Sequence, residues 1–236
     1  MLFTYLLFWA ISLLTPPAFP DSGQLLVVQT DGFNAKTGTL SYYERNPKTS
    51  RWRLVLGPWA VVVGKNGLAW GAGLLDVSSE KGPRKREGDG RSPAGAFRLG
   101  ACFGYGVAPA GLKLPYLQAT PSLVCVDDPA SRYYNRVFSA DSVRKDWTSA
   151  ERMRLPSDDY KLGLVVEYNW KKPVQGAGSC IFVHLWESPA KGTAGCTAFS
   201  EGNFRKLLLR LDATKKPVLV QMPGEAYRRW RQVGLP

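Results

Sequence analysis

A mainly β fold is what this sequence predicts, on three observations. Short runs rich in β-branched and aromatic residues alternate with period two, turn formers such as Asp31-Gly32 and Asn46-Pro47 cut them at intervals, and helical periodicity is scarce. In chain order, strands are expected over 24–30, 38–45, 52–57, 58–63, 95–99, 162–169, 180–186 and 216–222. One helix is expected where Phe204, Leu207, Leu208 and Leu211 fall at i, i+3, i+4 and i+7, with Ser200 as N-cap and Asp212 near the end. Residues 101–159 are polar, aromatic and irregular, and read as an insertion over the rest of the domain rather than as a second domain.

Composition fits a single moderate domain. A chain of 236 residues with 44% hydrophobic residues can bury a sizeable core without metal or many disulfides. Lys and Arg number 31 against 19 Asp and Glu, a formal charge of +12. That excess implies an acidic partner: nucleic acid, an anionic membrane or an anionic polymer such as a cell wall. The basic runs Lys81-Gly82-Pro83-Arg84-Lys85-Arg86 and Arg228-Arg229-Trp230-Arg231 come with no nucleic-acid-binding motif. They read as solvated loops or tails, and nucleic acid is not expected as a partner.

Residues 2–14 form an apolar run too short for an easy membrane span of about twenty residues, and Pro16, Pro17 and Pro20 end it. A secretory signal peptide over 1–20 is expected, followed by a folded domain over 21–236. An uncleaved N-terminal anchor is the alternative, because no Lys or Arg opens the run and no small-x-small cleavage site closes it. Either way the protein is expected to be exported, to a periplasm or cell envelope, where thiols can oxidise.

The chemistry concentrates in Phe182-Val183-His184-Leu185-Trp186-Glu187-Ser188-Pro189-Ala190-Lys191-Gly192-Thr193-Ala194-Gly195-Cys196. This stretch holds the only histidine of the chain, twelve residues before a cysteine that follows a glycine. A thiol nucleophile needs a base to take its proton and backbone N–H groups to receive the oxyanion, and a strand-borne His followed by a tight Thr-Ala-Gly-Cys turn supplies both. By strand period Cys180, Phe182, His184 and Trp186 share a face. Gly195, without a Cβ, lets an acyl group approach the amides of the 194–196 turn. Thr193 orients His184 or caps the turn. Zinc is a poor competitor, since one His and the cysteines at 102, 125, 180 and 196 show no CxxC or HxxH spacing.

His184 together with Thr193-Ala194-Gly195-Cys196 resembles the signature of the L,D-transpeptidases of the YkuD type, a His followed after a variable gap by Ser/Thr-x-Gly-Cys. Upstream, Gly88-Asp89-Gly90-Arg91-Ser92-Pro93-Ala94-Gly95-Ala96-Phe97 is similar to the Gly-x-Thr/Ser-Pro-x-Gly-x-Phe element of that family. The segments Cys125-Val126-Asp127-Asp128-Pro129, Tyr134-Asn135 and Glu167-Tyr168-Asn169 extend the likeness, which covers roughly residues 25–223.

The resemblance implies a β-sandwich-like catalytic domain that acts on peptidoglycan stem peptides. Cys196 would form a thioester with His184 as base, and Gly195 and Thr193 would belong to the catalytic turn. Trp186, Ala194, Arg91, Tyr168 and Asn169 would bind substrate. An amine acceptor, from a second stem peptide, a lipoprotein or a D-amino acid, would resolve the thioester; no cofactor is implied, and a monomer is expected. Two alternatives stand beside this one: an L,D-carboxypeptidase or amidase that hydrolyses wall peptides at the same site, and a non-catalytic wall-binding module. The chain departs from the family where many members carry a second His and an Arg, at Ala194 and Ala198. The second loss leaves Arg91 or a lysine near the cleft as the candidate clamp for a substrate carboxylate.

With Cys196 reserved for chemistry, at most one intramolecular disulfide remains. Cys102 and Cys125 flank a segment without periodic structure and are expected to pair, with about 3 kcal/mol gained from loop closure, while Cys180 is expected to stay reduced in the core.

Overall fold

The computed structural model describes residues 18–236. The expected leader therefore lies almost wholly outside the described residues. Phe19 is nonetheless buried in the main core and Arg45 donates to the carbonyls of Ala18 and Pro20, so the folded unit takes in residues ahead of 21.

The first three strands, β1 (Gln24–Thr30), β2 (Thr37–Arg45) and β3 (Trp52–Val62), form an antiparallel meander in which Leu26 faces Tyr42 and Leu40 faces Trp59. β3 unites the two strands expected at 52–57 and 58–63. Pro58, at the junction of the two, sits in a register shift opposite Ser41, where a missing N–H is tolerated. β4 (Leu68–Trp70) runs parallel to β5 (Ser92–Gly104), and β5 is far longer than the expected 95–99. β5 reaches Gly104, so the inserted segment begins later than residue 101.

The insertion is ordered. β6 (Tyr116–Gln118) lies along β5, while β7 (Leu123–Cys125), β8 (Val137–Ser139) and β9 (Glu151–Arg152) make a separate sheet in the order β8-β7-β9. Tyr133, Phe138 and Trp147 pack beside it, with ring centroids 5.1–5.8 Å apart, and supply the apolar burial that an irregular segment needs.

β10 (Leu162–Val166), β11 (Phe182–Leu185), β12 (Thr197–Phe199), α1 (Glu201–Leu208), β13 (Val218–Pro223) and α2 (Gly224–Trp230) complete the chain. The large sheet runs β10-β11-β12-β3-β2-β1-β13-β5, and β10 pairs again with β5 through Leu162↔Gly104 and Leu164↔Cys102. This last pairing closes the sheet into a barrel, where the resemblance implied a sandwich, and it leaves no free edge in that ring.

α1 buries Phe204, Leu207 and Leu208 as its period requires. Ser200 holds the N-cap backbone conformation without a side-chain bond, and Asp212 lies beyond the helix, capping the next turn through the Thr214 amide. α2 was not expected, because its seven residues contain a basic run that reads as a tail. Glu225 in its first turn and Arg228 and Arg229 in its last suit the helix dipole, and Arg229 pairs with Glu80 at 2.8 Å. The other basic run is also tied down: Arg84 donates to the carbonyls of Val77, Ser78 and Glu80, and Lys85 is buried against Asp89 at 2.7 Å.

Candidate active site

β11 and β12 are consecutive, adjacent and parallel, so the chain between them must return to the start of the strand it has just left. The register Val183↔Thr197 brings Cys196 level with Phe182. The returning loop is fixed by backbone bonds from Thr193 to Val63 (2.9 Å) and from Lys65 to Thr193 (2.8 Å). Gly192 is required there, since a Cβ on it would meet Lys65 Cα at 2.7 Å. The Cys196 carbonyl accepts from two hydroxyls, Thr193 Oγ1 at 2.6 Å and Ser92 Oγ at 2.7 Å. Ser92, in the glycine-rich element and the first residue of β5, thus holds the turn in place.

The Cys196 sulfur accepts from the Phe182 amide at 3.3 Å and lies 3.6 Å from the Cys180 carbonyl. Burial pushes its pKa up, the Glu151 charge adds to this, and the Phe182 amide, the Tyr160 hydroxyl and Lys85 pull the other way. His184 stands two residues further along β11, about 6.6 Å by strand rise, on the face shared with Phe182. Its Nδ1 lies 2.8 Å from the Leu185 carbonyl. A carbonyl only accepts, so Nδ1 carries the proton and Nε2 keeps its lone pair. Burial lowers the imidazole pKa, against the opposing pull of the Leu185 carbonyl and Asp159. At neutral pH both groups rest uncharged.

Both side chains line one cleft of about 420 Å³. Lys85, Glu87, Asp127, Glu151, Asp159 and Tyr160 line it together with Trp186, Glu187, Lys191 and the 192–196 turn. The insertion supplies Asp127, Glu151 and Asp159, so it does overhang the site. Glu151 and Tyr160 were missed from sequence, because nothing in residues 101–160 distinguishes this carboxylate and this phenol from their many polar and aromatic neighbours. Ser92 was within a recognised element but carried no assigned role. Among the described residues, no group of three or more His, Cys, Asp or Glu side chains is placed to hold a metal.

The expected site residues divide into two sets. Cys196, His184, Thr193, Ala194, Gly195 and Trp186 all line the cleft. The Gly195 amide, however, donates to Thr193 Oγ1 at 3.1 Å and is not free for an oxyanion. Among the described residues the amides of Ala194 and Cys196 have no acceptor, so they are the pair available. Thr193 acts on the turn and not on His184.

Arg91, Tyr168 and Asn169 do not reach the cleft. The Arg91 guanidinium donates to the Phe33 and Leu68 carbonyls and to Asn34 Oδ1. The Tyr168 hydroxyl donates to the Ala177 carbonyl at 2.5 Å, and Asn169 Nδ2 donates to the carbonyls of Val174 and Gly178. Asn135 then bridges the Tyr168 and Asn169 carbonyls to the Cys180 amide. These residues shape the 174–180 segment that feeds β11.

Comparison with known proteins finds no match among family models, curated proteins or solved structures. The family likeness therefore rests on the residues quoted above.

The disulfide joins Cys125 to Cys180, and Cys102 is free and fully buried, which corrects the expected pairing. Cys102 is committed to the core by its pairing with Leu164, whereas Cys180 leaves the strand face. Its φ of 53° places Cys180 in the left-handed region, held by the Asn135 bond to its amide. The bridge fastens the insertion to the entry of β11, next to Cys196.

Proposed function

We propose that this protein is a cysteine acyl-transferase that acts on peptidoglycan stem peptides by L,D-transpeptidation. The observation that carries the reading is a buried thiol and an imidazole whose Nε2 keeps its lone pair, both lining one cleft beside two amides without acceptors among the described residues. The peptide substrate class comes from the resemblance of His184 and Thr193-Ala194-Gly195-Cys196 to the YkuD-type signature.

The chemistry runs in two balanced halves. Cys196 attacks the carbonyl of the third stem residue, its proton passes to His184 Nε2, and the oxyanion meets the amides of Ala194 and Cys196. Collapse expels the terminal D-amino acid, whose nitrogen takes the proton from the imidazolium, and leaves a thioester. An acceptor amine then attacks the thioester and gives its proton to His184, and the departing sulfur recovers that proton.

Glu87, Asp127, Glu151 and Asp159 in the cleft lining draw an ammonium group in, and loss of its extra proton to one of these carboxylates leaves the neutral amine that attacks the thioester. Export fits the Cys125–Cys180 bridge, which persists in an oxidising compartment. Mass spectrometry of muropeptides incubated with the protein, with and without added amine, is the test. Joined or exchanged products support the proposal, products of water alone make the protein a hydrolase, and unchanged muropeptides refute both.

A further inference from the structure

Tyr160 lines the cleft next to His184. Its side chain is 3% exposed, and its ring packs edge-on against His184 at 5.0 Å, Phe103 at 5.5 Å and Phe182 at 5.7 Å between centroids. Its hydroxyl donates to Glu151 Oε1, and Tyr160 packs with Cys196, Cys180 and Phe182 in one buried cluster. A phenol has one proton to donate, so the carboxylate and a thiolate at Cys196 would compete for it. An ionised carboxylate wins that competition, and a protonated one releases the O–H toward the sulfur.

We propose that Tyr160 is a further catalytic residue of this site, donating its hydroxyl to the Cys196 thiolate, and that Glu151 is the positioning residue whose protonation turns that hydroxyl from carboxylate to sulfur. The proposal rests on Cys196 being the nucleophile.

The surroundings of Glu151 suit a group that changes charge near neutrality. Asp127 faces it from the segment after β7, Glu87 and Lys85 from the loop before β5, Asp159 from the loop before β10, and Cys196 and His184 from across the cleft. Burial, with Asp127 and Glu87 adding to it, outweighs the Tyr160 hydrogen bond and pushes the carboxyl up to about 7. Below that point the tyrosine proton is free for the developing thiolate. Above it Glu151 withdraws the donor and adds a repelling charge.

The test is the rate at which iodoacetamide alkylates Cys196, followed by peptide mass across the neutral range, in the wild type, Glu151→Gln, Glu151→Asp, Tyr160→Phe and the Glu151→Gln/Tyr160→Phe double variant. Cys102 is fully buried and serves as the silent internal control. Above neutrality Glu151→Gln should react about tenfold faster than the wild type, and below neutrality, where the hydroxyl is free for the sulfur, Tyr160→Phe should react about tenfold slower, each the equivalent of one pKa unit of the thiol. Glu151→Asp keeps the charge and should keep the wild-type profile. In the Tyr160→Phe background the Glu151→Gln gain should shrink to about twofold or less. A full gain in that background, no gain in Glu151→Gln alone, or the same gain in Glu151→Asp would overturn the proposal. If the alkylation pattern holds while the wild type leaves muropeptides untouched, the transpeptidase reading fails and the Tyr160–Glu151 unit stands.

Discussion

The amide of Phe182 donates to the sulfur of Cys196 at 3.3 Å, so the strand that carries His184 also holds Cys196. The arrangement follows from two parallel neighbours, β11 and β12, and from the loop that must fold back between them. With Nδ1 engaged by its own strand, Nε2 is the ring nitrogen that can take a proton. Cys196→Ala should abolish thioester formation, and His184→Ala should slow it about 10²–10⁴-fold, the usual contribution of a positioned general base. Intact-protein mass of the acyl adduct is the measurement; wild-type adduct levels in His184→Ala would remove it as the base.

Acylation by a carbapenem should add the reagent's mass to the peptide containing Gly195-Cys196-Thr197 and show an acid limb. Burial places the His184 pKa below 6.5, so the imidazole stays a competent base to lower pH than a free histidine. The stability sign runs alongside. The unfolded histidine takes up a proton near 6.5 more readily than the folded one, so the stability held above that value is lost as pH falls toward the folded value. A rate profile whose acid limb lies above 6.5 would contradict the geometry, as would an adduct on Cys102.

The strand pattern and the His–Cys pair were legible because both are local: period two marks β1 and β2, and one turn of sequence holds Thr193 to Cys196. The barrel closure was not, since Leu162↔Gly104 joins residues whose proximity no local pattern encodes. The disulfide was misassigned for the same reason. Loop length favoured Cys102 with Cys125, but the β5–β10 pairing seals Cys102 in the core. Tyr168 and Asn169 carried the look of site residues, yet their polar atoms are spent on carbonyls that order the approach to β11.

That approach should be a weak point of the molecule. Asn135 is 1% exposed and links the Tyr168 and Asn169 carbonyls to the Cys180 amide. Asn135→Ala should cost about 2–4 kcal/mol, since it leaves buried partners unsatisfied. Replacing Cys125 and Cys180 together by Ala opens a bridge that spans 55 residues, worth about 4 kcal/mol on the chain-entropy model. Denaturant unfolding checks both, and a loss under about 0.5 kcal/mol for Asn135→Ala would show that its bonds do not hold the segment.

The basic surface should act as a tether and leave the chemistry alone. Lys48, Arg51 and Arg53 are exposed around the turn from β2 to β3, and Lys171 and Lys172 are exposed after β10, while Arg84, Lys85 and Arg229 are consumed in structure. Binding of the protein to intact cell-wall sacculi should therefore weaken steeply with salt, because exposed charges are screened within about 8 Å at physiological ionic strength. Turnover of a small soluble stem peptide should change far less, since Cys196 and His184 sit buried beside fixed amides. Arg91→Ala separates this from a carboxylate clamp. With its guanidinium spent on Phe33, Leu68 and Asn34, the substitution should lower thermal stability and leave the Michaelis constant for the soluble peptide unchanged. Sacculus pelleting and peptide kinetics over one salt series decide the matter: salt-independent pelleting rules out the tether, and a raised Michaelis constant in Arg91→Ala restores the clamp.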